Sequence, residues 1–351
     1  MASRADGLPR PAAAGSLRRA GGGGGAVSPG VSPPVLAEVR RGGAVESVHR
    51  GAVVAVDAAG RVLAACGDPA LRAFARSALK PVQALPLVAD GGMARFELTR
   101  SELAVICASH AGEAMHVAAV RSILRKVDLD ERALQCGGHW PLHQPTAEAM
   151  RARGEAPSPL HDNCSGKHAG MLALARLHGW DPATYRRLDH PVQQRIREAV
   201  VALTGSPEAV AAPQTDGCGV PTYHLALLDL AAAFARLAAP EVLSPPWGDA
   251  ARCVVGAMTA FPEMVGGTGR LDTVLMGVGE GHLVVKGGAE AIAAVAAPSR
   301  RVGMALKIED GSARAVAPVL IEALRQLALL SEDDVRILAP LHRPAVLDRQ
   351  G

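Results

Sequence analysis

The run Ser77-Ala78-Leu79-Lys80-Pro81-Val82-Gln83-Ala84-Leu85-Pro86 decides how the rest of this chain is read. A helix that begins after Ser77 puts Ser77 and Lys80, at i and i+3, on one face and within hydrogen-bonding reach. Pro81 is tolerated there because a first-turn N–H has no helical partner to lose. A serine hydroxyl is a poor nucleophile until a neighbour removes its proton, and a desolvated lysine of lowered pKa can do that. By itself the pair is common by chance, and its plain reading is a helix-capping serine beside a solvated lysine.

Two further elements follow in order. Ser109-His110-Ala111-Gly112 comes after the apolar run Leu103-Ala104-Val105-Ile106-Cys107, so a second hydroxyl sits on a bend. Lys286-Gly287-Gly288 closes a strand of apolar residues and aims an ammonium group and bare backbone at whatever lies above it. Ser-x-x-Lys, then a second Ser, then Lys-(Thr/Gly)-Gly on a late strand is similar to the layout of penicillin-recognising serine hydrolases. The second element departs from that layout, with Ser109-His110-Ala111 where Ser-Asp-Asn would stand, so the architecture can be shared while the substrate differs.

The densest polar stretch is His161-Asp162-Asn163-Cys164-Ser165-Gly166-Lys167-His168-Ala169-Gly170-Met171, which runs straight into an apolar helical pattern. Free N–H groups and the helix dipole at such an N-terminus favour anions and depress a thiol pKa. Four readings are open: a nucleophilic cysteine, a metal-ligand set, an oxyanion cradle, or a capped surface helix with a structural cysteine. Thr215-Asp216-Gly217-Cys218-Gly219-Val220-Pro221 supplies a second thiol on a Gly-rich bend, and Cys164 and Cys218 could share one zinc ion. Against that, no local Cys-x-x-Cys supports a metal, and Cys107 and Cys253 lie in apolar runs as ordinary core residues. Gly266-Gly267-Thr268-Gly269-Arg270-Leu271-Asp272-Thr273 has the wrong spacing for a dinucleotide or phosphate loop. Its glycines let backbone approach a ligand, and Arg270 could clamp a carboxylate; a tight turn with a surface arginine is the plain alternative.

Composition narrows the class. With 49% hydrophobic and 20% charged residues the chain has the balance of a soluble enzyme, and at 3% aromatic its core must be built from Ala, Val and Leu. Scarce aromatics and the lack of a basic stripe argue against a nucleic-acid partner, and part of the net charge of +3 comes from Arg18, Arg19, Arg40 and Arg41. Six cysteines without scaffold spacing, an apolar segment at 222–240 broken by Asp229 and Arg236, and no apolar signal core predict a reduced, cytoplasmic protein with no membrane association.

Residues 1–34 are rich in Ala, Gly, Pro and Arg and are predicted to be a disordered tail; 35–351 are predicted to form one catalytic domain. A hairpin is expected over 44–66. Helices are expected after Ser77, from Thr99, to about 125, and at about 168–178, 191–203, 222–238 and 313–330. The region 136–162 reads as a long loop. Leu271-Asp272-Thr273-Val274-Leu275-Met276, 282–286, 291–297 and 302–308 read as strands. Strands at both chain ends around a helical middle predict an α+β fold with one mixed or antiparallel sheet.

Together the motifs Ser77–Pro86, Cys107–His110, Asn163–Met171, Asp216–Pro221, Gly269–Thr273, Lys286–Glu290 and Lys307-Ile308-Glu309-Asp310-Gly311 resemble the L-asparaginase II family of rhizobial type. That resemblance covers roughly residues 35 to 345. It implies a serine β-lactamase-like fold and hydrolysis of L-asparagine to L-aspartate and ammonia. It also implies two Ser–Lys pairs, Ser77 with Lys80 and Ser109 with Lys286, and zinc held by Cys164, Lys167 and Cys218. Asp216 would lie near the substrate and His168 beside the metal loop, in a homodimer. The substrate's α-carboxylate and α-ammonium need charge partners, for which Arg270 and Asp216 are the candidates. A penicillin-recognising hydrolase of the same fold and a catalytically silent zinc- or amino-acid-binding relative are the alternatives.

Overall fold

The computed structural model describes residues 16–19, 32–278 and 282–346. Strands β1 (Arg18–Arg19), β2 (Val35–Arg41), β3 (Ala44–Asp57) and β4 (Val62–Cys66) open the chain, and β8 (Val284–Gly288), β9 (Ile292–Ala297) and β10 (Val302–Ile308) come near its end. They form one sheet in the order β1-β4-β3-β10-β9-β8, with β2 also paired to β3. Every pairing among the described strands is antiparallel. The expected α+β architecture, a sheet from both chain ends around a helical middle, is the one observed. A smaller sheet joins β5 (Arg72–Phe74), β6 (Pro213–Thr215) and β7 (Pro221–Ala226) in the order β5-β7-β6.

The middle of the chain supplies α1 (Lys80–Ala89), α2 (Gly92–Arg95), α3 (Arg100–Ile106), α4 (Ala114–Lys126), α5 (Gln144–Ala152), α6 (Ser165–His178), α7 (Pro191–Thr204), α8 (Leu227–Ala238), α9 (Trp247–Ala260), α10 (Pro262–Val265) and α11 (Leu271–Val278). Helices α12 (Val316–Gln326), α13 (Glu332–Ile337) and α14 (Ala339–His342) close it. No helix among the described residues is long and apolar enough to cross a membrane.

Small residues set the packing. Helix α8 lies on β3, β9 and β10, and a Cβ at Gly303 would come within 2.1 Å of Ala231 O and Ala235 N. Backbone therefore meets backbone there, which an aromatic-poor core needs if it is to leave no voids. Gly166 and Gly170, one turn apart on α6, do the same against α3: their Cβ atoms would lie 2.0 Å from Val105 O and 2.5 Å from Ile106 Cγ2. Helix α3 begins at Thr99, whose Oγ1 accepts from Glu102 N–H (3.2 Å) while Thr99 N–H donates to Glu102 Oε2 (2.7 Å). Such a reciprocal cap is worth about 1 kcal/mol.

Several expectations need correction. Leu271–Val278 is a helix, not a strand; a short apolar run carries no period that separates the two. Residues 222–226 belong to β7, so the helix begins at Leu227. The loop at 136–162 contains α5, entered through Pro145 in its first turn. Cys253 is exposed on α9 rather than in the core. Most of the expected tail lies outside the described residues, but within it Leu17 N–H donates to Gln326 Oε1 (2.9 Å) and Arg18–Arg19 extend the sheet beside β4.

Candidate active site

Arg76–Leu79 form a tight 3₁₀ turn directly ahead of α1. Lys80 N–H donates to Ser77 O across that turn, which ties the serine to the start of α1. Arg76 takes a left-handed φ of +48°, a conformation that surrounding contacts must hold. Its N–H donates to Thr222 Oγ1 (3.3 Å) and its guanidinium to Asp216 Oδ1 (2.7 Å). The Ser77 hydroxyl is half-buried, with no hydrogen-bond partner among the described residues.

Lys80 is fully buried. Its Nζ donates to Ala108 O (2.6 Å), Ser109 Oγ (2.9 Å) and Asn163 O (3.2 Å). Its direct hydroxyl partner is therefore Ser109, not Ser77. The cause is local: Ala108 lies just past the end of α3, where a carbonyl has lost its helical donor. Lys286, also fully buried, donates to Asp272 Oδ2 (3.1 Å) and Gly287 O (2.7 Å). Burial lowers its pKa; Asp272 opposes that shift and the Lys80 ammonium adds to it. Asp272 also accepts from Gly287 N–H (3.1 Å), which fixes the start of α11 on the end of β8.

The thiols meet beside these lysines. Lys167 Nζ lies 3.0 Å from Cys218 Sγ, and Cys218 Sγ lies 3.9 Å from Asp216 Oδ2. A hydrogen bond between Cys218 and Cys164 holds the Cys164 thiol well below its ordinary pKa, against burial and with help from Lys80 and Lys167. The same contact, with burial, pushes the Cys218 thiol up. Burial works against the Lys167 ammonium, but Cys164, Cys218 and Asp216 together raise its pKa. Asp216 stays below its usual value despite burial because Lys167 and Arg76 flank it. Two sulfurs and a nitrogen suit zinc. No group of three His, Cys, Asp or Glu converges among the described residues, so a three-donor site there requires Lys167. The donor set fits provided that Lys167 and Cys218 give up their protons.

Histidines brace the site from behind. Ser165 Oγ donates to Leu160 O (3.0 Å), so His110 Nε2–H donates to Ser165 (2.9 Å) while Nδ1 accepts Gly112 N–H (3.2 Å). That makes His110 neutral, in keeping with burial holding its pKa well below normal. His139 Nε2 accepts Asn163 N–H (3.1 Å), so the segment around 139 does deliver a polar group to the site. His168 is fully buried, with Nδ1 2.6 Å from Tyr185 Oη. Gln135 N–H already donates to that oxygen (3.0 Å), so the Tyr185 hydroxyl donates to His168. The structure thus places His168 on the buried face of α6, its ring edge-on to Tyr185. Arg270 is exposed, near enough to Lys286 for its charge to oppose that ammonium. The residues that sequence reasoning missed are Arg76 and Asp272. Both stood in or beside quoted motifs, and an acid set fourteen residues ahead of a buried lysine was the available signal for Asp272.

The protein-family model described as L-asparaginase II matches residues 37–351. The chain belongs to the L-asparaginase II family. Members of that family are amidohydrolases, and the site just described lies wholly inside the matched span. No curated protein matches the sequence. Among solved structures, Mglu in its native form aligns with 16% identity and a TM-score of 0.46, over 82% of this chain and 66% of that one. The chain therefore spans slightly under two thirds of Mglu's length. A β-lactamase from Mycobacterium bovis aligns with 16% identity and a TM-score of 0.38, over 83% of this chain and 95% of that one.

Proposed function

We propose that this chain hydrolyses L-asparagine to L-aspartate and ammonia with paired serine and lysine side chains. The observation that carries the reading is Lys80: a fully buried amine, hydrogen-bonded to Ser109 Oγ and three positions along the chain from Ser77. In the reaction, neutral Lys80 takes the Ser77 proton as Oγ attacks the side-chain amide carbon. Ser109 relays that proton to the departing nitrogen, which leaves as ammonia. Water then attacks the acyl-serine, and the same groups return the proton to Ser77. Lys286 gives the relay a second buried amine, one whose pKa burial lowers. Arg270 pairs with the α-carboxylate, and Asp216, shared with Arg76, with the α-ammonium. The protein acts on this small molecule as a cytoplasmic homodimer.

The test is ammonia release from L-asparagine, L-glutamine and a chromogenic β-lactam by the purified protein. Asparagine should be turned over fastest; hydrolysis of the β-lactam alone would sink the reading.

Cys164, Lys167 and Cys218 would hold zinc. When bound, the ion supplies a fixed positive charge beside the substrate's polar end. Because Lys167 and Cys218 carry their protons in the free site, zinc affinity should fall as pH falls. Cys164→Ser/Cys218→Ser should lose zinc on dialysis, read by metal analysis; a variant that keeps one equivalent refutes the site.

A further inference from the structure

Glu113 plays no part in the reaction above, yet it grips the turn that carries Arg270. Its carboxylate accepts from Thr268 N–H (2.8 Å) and from Thr268 Oγ1 (2.7 Å). These are the only side-chain hydrogen bonds that residues 266–270 make among the described residues. The turn lies flat on the segment leading away from Ser109. Gly267 has a φ of +109°, and a Cβ there would stand 2.6 Å from both Ala111 Cβ and Glu113 Oε1. Only glycine lets backbone come that close.

The two ends of the turn are held independently. Ser109 N–H donates to Val265 O (3.1 Å) at one end. At the other, Thr273 Oγ1 donates to Pro262 O (3.2 Å) and Asp272 is fixed by Lys286 and Gly287. Cutting the Glu113–Thr268 contact would therefore free 267–270 while leaving Ser109 and the Lys286–Asp272 pair in place. Arg270 closes this turn, its N–H donating to Gly267 O (3.3 Å).

We propose that Glu113 is a positioning residue that sets recognition of the substrate's α-carboxylate, by pinning through Thr268 the turn that presents Arg270. The inference rests on the reading that Arg270 takes that carboxylate. It predicts a loss confined to substrates that possess the group. An exposed, long arginine spends side-chain entropy on each carboxylate it binds, and a fixed turn lowers that cost.

The experiment compares steady-state kinetics on L-asparagine and on 3-aminopropanamide, which is asparagine without its α-carboxylate. If wild type does not turn over the second compound, its inhibition constant against asparagine is read instead. Glu113→Ala should raise KM for asparagine about tenfold with kcat within about twofold, and leave 3-aminopropanamide unchanged. Thr268→Val should shift KM in the same direction by less, and carries the test if Glu113→Ala does not fold. Glu113→Gln can accept from Thr268 N–H and donate to its hydroxyl, so it should stay near wild type. Glu113→Ala/Arg270→Ala should be no worse than Arg270→Ala. Equal losses on both compounds, or additive losses in the double variant, overturn the proposal and make Glu113 a support for the Ser109 bend. If Arg270→Ala alone leaves KM for asparagine unchanged, the carboxylate assignment fails, and that variant identifies the failure by itself.

Discussion

Ser77→Ala should cut turnover of L-asparagine by about a thousandfold or more without lowering the melting temperature. The two halves of this expectation come from one fact: the Ser77 hydroxyl has no hydrogen-bond partner among the described residues, so its removal orphans nothing. Lys80→Met should lose turnover to a similar degree but destabilise the protein as well. It strips donors from Ala108 O and Asn163 O, and an unsatisfied buried carbonyl costs about 1–3 kcal/mol. Because the two residues act as a unit, the double variant should be no slower than either single one. Ser109→Ala separates the two hydroxyls. If Ser109→Ala is dead and Ser77→Ala is active, the nucleophile is the serine that Lys80 touches, and the order of attack proposed above is wrong. Circular dichroism and thermal melts of each variant keep loss of chemistry distinct from loss of fold.

The second large effect is on stability. Gly166→Ala should cost about 3 kcal/mol, at the upper end of the range for overpacked cores. A methyl group at that position would sit 2.0 Å from Val105 O. Neither partner can yield cheaply, since the obstacle is the main chain of α3 rather than a flexible side chain. The damage would also reach the site, because the first turn of α6 holds Lys167 and follows Cys164. Urea titration gives the stability loss, and thiol reactivity of Cys164 should fall with it as the Lys80 and Lys167 charges that favour its thiolate move away. Gly179→Ala on the far end of the same helix has nothing within 4 Å of the added carbon. It tests only the left-handed φ of +70° there, and should cost about 1 kcal/mol.

What the sequence conveyed, and what it withheld, follows from the range of the forces involved. The hairpin over 44–66, the start at Thr99 and the helices around 168 and 191 rest on turn chemistry, caps and periodicity, all local, and they stand. Leu271–Val278 does not, because its eight residues fit either element and the decision comes from Asp272 reaching Lys286 on another strand. The partner of Lys80 was hidden for a related reason. Spacing put Ser77 beside it, but nothing in spacing weighs that neighbour against Ser109 and two carbonyls brought in by folding. Arg76 was likewise invisible as an anchor, since its pairing with Asp216 joins segments 140 positions apart. His168 could be placed next to the thiols by sequence, while the direction it faces depends on Tyr185. Cys253 shows the same limit in reverse, as an apolar run need not have every side turned inward.

The strand order carries a consequence for how this protein is made. Strand β3 is apolar and buried over its second half, and it is flanked on one side by β10, which is synthesised near the end of the chain. While the ribosome is still translating the helical middle, Gly51–Asp57 presents an open, sticky edge to every other nascent chain. Lys286 sits on β8, which joins β3 only through β9 and β10, so it takes its place only once that edge closes. Growing chains are therefore inert as well as vulnerable, and yield on overexpression should depend on chaperone supply and temperature more than on the stability of the finished protein.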